Sequence, residues 1–300
     1  MKYQYYPGCS LEATALEYNL STRAVMATLG AELIEIEDWT CCGASAAHST
    51  SYLLSLALPA RNLAIAEKND AVTDMLVPCS ACYLNLMKVE EKTRSEPDVL
   101  EKVNTILNED QLQISGRIHV RHLLDVFVND LGPETIRKKL KRAFTEFRIA
   151  PYYGCQCLRP YVIFDDPEDP RSMEPLIEAA GAEVHPWQMG GKCCGASHMN
   201  TKMDVGLELV AAILQDAKGA DAIVTVCPMC QMNLEAYQHK ISRRQNENIS
   251  MTVLYLPQFI GLALGLSEQK LRLDLNLSIT DRFRKKLGQS ALTSRIFDRN

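Results

Sequence analysis

Cys41-Cys42-Gly43-Ala44-Ser45 returns in the second half of the chain as Cys193-Cys194-Gly195-Ala196-Ser197. Its surroundings return with it, in the same order. Upstream, Tyr5-Tyr6-Pro7-Gly8-Cys9 is matched by Tyr152-Tyr153-Gly154-Cys155, and Gly30-Ala31-Glu32 by Gly181-Ala182-Glu183. Downstream, Cys79-Ser80-Ala81-Cys82-Tyr83-Leu84-Asn85-Leu86 is matched by Cys227-Pro228-Met229-Cys230-Gln231-Met232-Asn233-Leu234. The first pattern is C-x31-CCG-x35-CxxC and the second C-x37-CCG-x31-CxxC. Ile118 to Gly132 and Met251 to Gly265 also look like one strand-plus-helix element, each closing on glycine. Agreement of this kind marks an internal duplication. It divides the chain into two lobes, residues 1–149 and 150–266, and a C-terminal tail, 267–300.

Working outward from the cysteines, each lobe alternates strand and helix patterns. Lys2–Tyr6 reads as a short aromatic strand, Thr14–Leu29 as a helix stopped by Gly30, and Glu32–Ile36 as a strand. Ser51–Lys68 reads as a helix broken or kinked at Pro59, and Asp74–Val77 as a strand. In the second lobe the corresponding runs are Ala150–Tyr153, Ser172–Ala180, Val184–Trp187, Lys202–Ala217 and Ala222–Val226. Strands separated by helices of this length predict an α/β fold: two pseudo-symmetric lobes of parallel βαβ units. Most cysteine segments closely follow a strand, so the sites belong at the carboxyl ends of strands, where open α/β sheets bind ligands. The polar segments 88–117 and 267–300 read as solvated helices or connectors.

Composition limits the function. The chain has 300 residues, 47% hydrophobic, enough for a sizeable core. Its net charge of −5, with both signs mixed, argues against a nucleic-acid partner. The N-terminus carries no apolar leader pattern, and the longest apolar stretch, Val253 to Leu266, is too short to span a bilayer. The expectation is a cytoplasmic protein without a direct membrane span. In that compartment eleven cysteines point to metal binding or redox chemistry rather than a disulfide framework.

The arrangement of the cysteines narrows the metal. Structural zinc takes four ligands in a closed tetrahedron, usually as two Cys-x-x-Cys pairs. Each repeat here offers five cysteines, two of them adjacent. Adjacent side chains diverge along the backbone, so they reach two metals of one polynuclear cluster more readily than one small ion. Soft thiolates select zinc or iron–sulfur, and the Cys-Cys pair tips the choice to iron–sulfur. Cys157 has no counterpart in the first lobe, where Leu11 stands at that offset, and is left out of the ligand set as a buried small hydrophobe. Its spacing from Cys155 leaves an exchange or redox role open. Gly8, Gly43, Gly154 and Gly195 beside the cysteines allow backbone to approach a bulky cofactor.

With these residues the chain resembles the duplicated CCG domain, and as a whole the B subunit of heterodisulfide reductases and related subunits of bacterial sulfur-oxidation complexes. The resemblance covers residues 1–266. It implies two noncubane [4Fe-4S] clusters. One would sit on Cys9, Cys41, Cys42, Cys79 and Cys82, the other on Cys155, Cys193, Cys194, Cys227 and Cys230. It further implies redox chemistry on a small-molecule or protein-bound disulfide or thiol placed between the clusters. The direction is reductive in methanogens or oxidative in sulfur oxidisers. The chain shows neither a CxxCxxCxxxCP run nor an early GxGxxG fingerprint. Electrons would then come from a partner bearing cubane clusters with a flavoprotein behind it, which the resemblance implies are a C-type subunit with cubane [4Fe-4S] clusters and an A-type FAD and iron–sulfur subunit. The alternative is an electron-transfer CCG subunit of a lactate, glycolate or glycerol-3-phosphate dehydrogenase-type complex.

Other side chains are candidates for the chemistry itself. His48 and His198 follow the two Cys-Cys-Gly-Ala-Ser stretches and are placed to give protons to nascent thiolates, or to serve as loop histidines bonded to backbone. Lys192 and Arg159 are positive neighbours of cluster ligands, suited to bind an anionic substrate or raise the cluster potential, or else are solvated surface charge. Trp39 and Trp187 precede the Cys-Cys pairs and would shield the clusters from water. His119 and His122 read as structural.

Overall fold

A computed structural model describes residues 1–44 and 46–297; Ser45 of the repeated pentapeptide and residues 298–300 of the tail lie outside the described residues. The first lobe contains strands β1 (Lys2–Tyr5), β2 (Glu32–Glu35), β3 (Asp74–Val77) and β4 (His119–His122). The second contains β5 (Arg148–Tyr152), which starts two residues ahead of the expected boundary after residue 149, β6 (Glu183–Val184), β7 (Ala222–Thr225) and β8 (Thr252–Tyr255). They form two four-stranded sheets, ordered β2-β1-β3-β4 and β6-β5-β7-β8, and every pairing is parallel. The duplicated α/β architecture is as the sequence predicts.

This strand order reverses direction between β1 and β3, and again between β5 and β7. That is the topological switch point, where the loops leaving neighbouring strands diverge and open a crevice. Cys9 and Cys79 follow the two strands of the first switch, and Cys155 and Cys227 those of the second.

Register equates positions across the lobes. Val77 pairs with His122 in the first sheet, and Thr225 with Tyr255 in the second, so His122 corresponds to Tyr255. The lobes meet in a reciprocal manner through these two residues. Tyr18 of the first lobe stacks on Tyr255 of the second, with ring centroids 4.0 Å apart. Phe164, at Tyr18's offset from its own first cysteine, lies parallel to His122 at 6.0 Å. The two lobes thus contact each other as the halves of an isologous dimer do, each using the same two positions. The helix Leu16–Leu29 also crosses the helix Leu256–Ala263 of the other lobe at close range: a Cβ on Gly261 would lie 3.1 Å from Val25.

Several local expectations change. The helix Tyr52–Ala66 runs through Pro59 as one element. Strand β6 is cut to two residues: His185 N–H still reaches the Ile149 carbonyl at 2.7 Å, but the next acceptor along β5, the Pro151 carbonyl, receives Trp187 Nε1–H at 3.1 Å. The polar segments are not simply solvated. Val89, Val103, Leu107 and Ile114 of the first are buried, as are Leu271, Leu273, Phe283 and Leu287 of the tail. Phe283 meets Phe147 edge-on at 5.4 Å. Average polarity concealed one apolar face in each segment, which the lobes cover.

Candidate metal centres

Three loops at one edge of each sheet deliver the five cysteines of that lobe. Cys9 opens a short helix directly after β1, and Cys41-Cys42 lie in the loop beyond β2. Cys79 caps the helix Ser80–Ser95 after β3, and Cys82 sits one turn inside it. In the second lobe Cys155 follows β5 and Cys193-Cys194 follow β6. Cys227 caps the helix Pro228–Ala236, which contains Cys230. A Cys-x-x-Cys pair astride a helix start aims both sulfurs the same way, since i and i+3 share a face.

The sulfurs lie in strings. Cys41 Sγ is 4.0 Å from Cys9 Sγ, and Cys42 Sγ is 3.3 Å from Cys82 Sγ. Cys82 also neighbours Cys79. In the copy, Cys155 lies against Cys193, and Cys230 against both Cys194 and Cys227. Cys9, Cys41 and Cys193 are exposed and Cys155 half-buried, while both Cys-x-x-Cys pairs, Cys42 and Cys194 are buried. Each nest is therefore deep at one end and open at the other. Among the described residues no three His, Cys, Asp or Glu side chains form the cage of a single ion. Five soft donors strung over several ångströms suit a group with several metals better than one tetrahedral ion.

Crowding sets thiol against thiol. Cys42 is held down at about 3, first by the Cys41 thiol donating to it and then by Cys82, and Cys41 is pushed up by that same bond. Cys193 is lowered to about 6 by Cys155, and Cys227 to about 7 by Cys230, while Cys155, Cys82 and Cys230 rise in return. Such thiols share protons that a metal would displace, because only thiolates ligate.

A second layer repeats with the first. Tyr6 donates to the carbonyl of Thr40, just before Cys41, at 2.7 Å; Tyr152 donates to that of Lys192, just before Cys193, at 2.7 Å. Trp39 stands edge-on to Tyr6 at 5.3 Å, and Trp187 to Tyr152 at 6.0 Å. Asn85 Nδ2 donates to the Cys42 carbonyl and Asn233 Nδ2 to the Cys194 carbonyl, each at 3.2 Å. The Gly43 and Gly195 amides donate to Cys41 and Cys193 Sγ at 3.4 and 3.3 Å. A Cβ on Gly8 would lie 2.8 Å from Cys82 Sγ, and one on Gly154 3.0 Å from Cys230 Sγ. Backbone thus closes on the sulfurs in both lobes, leaving no room for a side chain there. The tyrosines and asparagines received no role from sequence. Their signal was available: three residues before the first cysteine and three after the last, in both copies.

The other candidates are less closely drawn in. His48 is exposed on the short helix Ala47–Thr50, edge-on to Tyr52 at 6.4 Å. His198 is half-buried and close enough to favour the Cys193 thiolate, as the weakest contribution to that shift. Lys192 is exposed. Arg159 is tied down, donating to the carbonyls of Gly191 at 3.0 Å and of Pro167, and to Glu168 at 2.9 Å. Both line a cavity of about 540 Å³ on the second lobe, together with Trp187, Glu168 and Arg171.

A family model described as "Cysteine-rich domain" (CCG) matches residues 3–87 and again residues 149–235. The chain belongs to the duplicated CCG family that includes the heterodisulfide reductase B subunits. Within this CCG family it is 29% identical to a protein of Archaeoglobus profundus named as like the heterodisulfide reductase B subunit, over 90% of this chain and 93% of that one. It is 26% identical to the B subunit of a ferredoxin/F(420)H(2)-dependent CoB-CoM heterodisulfide reductase of Methanosarcina acetivorans, over 92% and 93%. It is 32% identical to the 8-methylmenaquinol:fumarate reductase membrane anchor subunit of Wolinella succinogenes, over 92% and 96%. Among solved structures it is similar in fold to a hypothetical protein from Helicobacter pylori, with TM-score 0.73 and 18% identity, over 93% of this chain and 52% of that one. The Methanosarcina and Wolinella relatives are named as reductase subunits, and the chain is an oxidoreductase subunit of the CCG family. Among the described residues no helix is long and apolar enough to cross a membrane.

Proposed function

We propose that this chain is the iron–sulfur subunit of a multi-subunit, heterodisulfide reductase-like complex, performing disulfide and thiol redox chemistry at two noncubane [4Fe-4S] clusters. The ligands are Cys9, Cys41, Cys42, Cys79 and Cys82 in one lobe, and Cys155, Cys193, Cys194, Cys227 and Cys230 in the other. The observation that carries the reading is the twofold recurrence of five converging thiols, with the same tyrosine, asparagine and glycine around each set. When bound, such groups supply one-electron chemistry, and a disulfide needs two electrons, which explains the pair. The chain's own residues hold and orient the ligands. Tyr6 and Tyr152 pin the backbone before each Cys-Cys pair. The exposed Cys9, Cys41 and Cys193 leave one end of each site open to a substrate or partner. His198, beside Cys193, and His48 are the proton donors to a leaving thiolate, and Lys192 attracts an anionic substrate. Electrons come from a partner carrying cubane clusters, with a flavoprotein behind it.

A second reading, electron relay without disulfide chemistry, is favoured by two observations. The chain is 32% identical to a subunit of a menaquinol:fumarate reductase. The backbone before Cys79 and before Cys227 is bridged by the buried Tyr18, which fills the space between them. One experiment separates the readings. Protein purified anaerobically is analysed for iron and sulfide, then titrated with disulfides, thiols and a quinol while its paramagnetic signals are followed. Thiol-dependent signals support disulfide chemistry. Signals that respond to quinol but to no thiol select relay. Zinc without iron rejects both.

A further inference from the structure

Ser80 follows Cys79 directly, yet its hydroxyl is directed out of its own lobe. It is 1% exposed, and its Oγ lies 3.2 Å from the carbonyl oxygen of Val226, the residue before Cys227. The same Oγ lies 3.2 Å from Nε2 of the fully buried His122. The hydrogens can be assigned. His122 Nδ1 accepts the Leu124 N–H at 3.2 Å, so the one proton of the neutral ring sits on Nε2, which faces Ser80 Oγ together with the carbonyls of Pro78 and Val226. Burial keeps that ring neutral, with its pKa lowered to about 4. The Ser80 proton is then free for the other lobe. The Val226 carbonyl takes it in the resting geometry, and the Cys227 and Cys157 thiols are also within its reach. Tyr18 reinforces the junction, its hydroxyl 3.0 Å from the carbonyls of both Pro78 and Val226.

The duplication does not reproduce this contact. Pro228 stands where Ser80 would recur and has neither hydroxyl nor N–H, and Tyr255 stands in place of His122. The hydroxyl therefore crosses in one direction only, from the first lobe to the Cys-x-x-Cys of the second.

We propose that Ser80, oriented by His122, is a positioning residue for the second lobe's metal centre rather than for the centre whose ligand it adjoins in sequence. The inference rests on the iron–sulfur reading above. Hydrogen bonds around ligand sulfurs help to set a cluster's reduction potential, and a donor favours the more negative, reduced state. Removing the hydroxyl should lower the potential of the second centre.

The test is a redox titration, read by electron paramagnetic resonance, of the full chain purified anaerobically with its iron. Asn85→Ala and Asn233→Ala mark which signal belongs to which lobe, since each asparagine serves the Cys-Cys pair of its own lobe. Ser80→Ala, and independently Ser80→Gly, should keep the iron and move the signal marked by Asn233→Ala. The expected change in its reduction equilibrium is on the order of tenfold, about 59 mV for one electron. Ser80→Thr, which keeps the hydroxyl, should restore it. A shift confined to the signal marked by Asn85→Ala, or no shift in iron-loaded variants, overturns the inference and leaves the iron–sulfur reading standing. Wild-type protein without iron overturns both.

Discussion

Replacing Gly8 by alanine puts a methyl group where the backbone passes close to a sulfur of the first lobe. Gly8 has φ +74° and ψ 163°, a region that essentially only glycine enters. Any side chain there costs about 1–3 kcal/mol in backbone strain. The new Cβ would also lie 2.8 Å from Cys82 Sγ, and Cys82 is only 3% exposed and has little room to retreat. Overpacking of that kind adds about 1–3 kcal/mol. The sum is about 2–6 kcal/mol, and the displaced sulfur should also cost the lobe its metal. Gly30→Ala is the control: φ is +93° with ψ 21°, and nothing lies within 4 Å of its Cβ, so only about 1–2 kcal/mol of left-handed strain applies. Urea unfolding of anaerobically purified protein measures the stabilities, and iron analysis measures the loading. Gly8→Ala should be clearly the less stable variant and hold about half the wild-type iron, while Gly30→Ala keeps it all. Equal stability, or full iron in Gly8→Ala, would refute the claim that Gly8 is a glycine because a sulfur cradle presses against it.

Cys42→Ala and Cys194→Ala should each remove one centre and halve the iron, whereas Cys157→Ala, whose thiol donates to the Tyr153 carbonyl at 3.2 Å, should keep the full complement; iron loss in Cys157→Ala would show that the ligand set is wrong. Glu235 is raised by burial from 4.5 to about 7, so the folded form binds a proton more tightly than the unfolded one. Its contribution to stability is fully present below about pH 4.5 and is lost as the pH rises through 7, and Glu235→Gln should remove that slope and make the variant up to about 3 kcal/mol more stable at pH 8, relative to its difference at pH 4. A wild-type stability curve that is flat between those values would contradict this. Phe283→Ala should cost about 3–5 kcal/mol in urea unfolding, because its buried ring wedges the tail against Phe147, and a cost under 1 kcal/mol would return the tail to a solvated connector.

The repeated cysteine pattern determined the duplication and which thiols to bring together, and the strand and helix runs between the cysteines determined the α/β class. A metal site needs particular residue types at particular offsets, and a repeat displays those offsets twice. It also placed the sites after strands, because in a parallel sheet the chain direction dictates which end the loops occupy. Tertiary structure alone decided what surrounds them. Tyr6 and Thr40 lie far apart along the chain, and their hydrogen bond exists only because β1 and β2 are neighbours. The tail's burial was hidden because a segment of mixed polarity is defined by the surface it meets, and Phe147, at the boundary between the lobes, supplies that surface. Least legible of all was the junction of Ser80, His122, Tyr18 and Val226. Of the four only Ser80 lies within a cysteine motif, and their meaning arises when two copies of one sequence pack face to face, bringing the serine of one against the cysteine of the other.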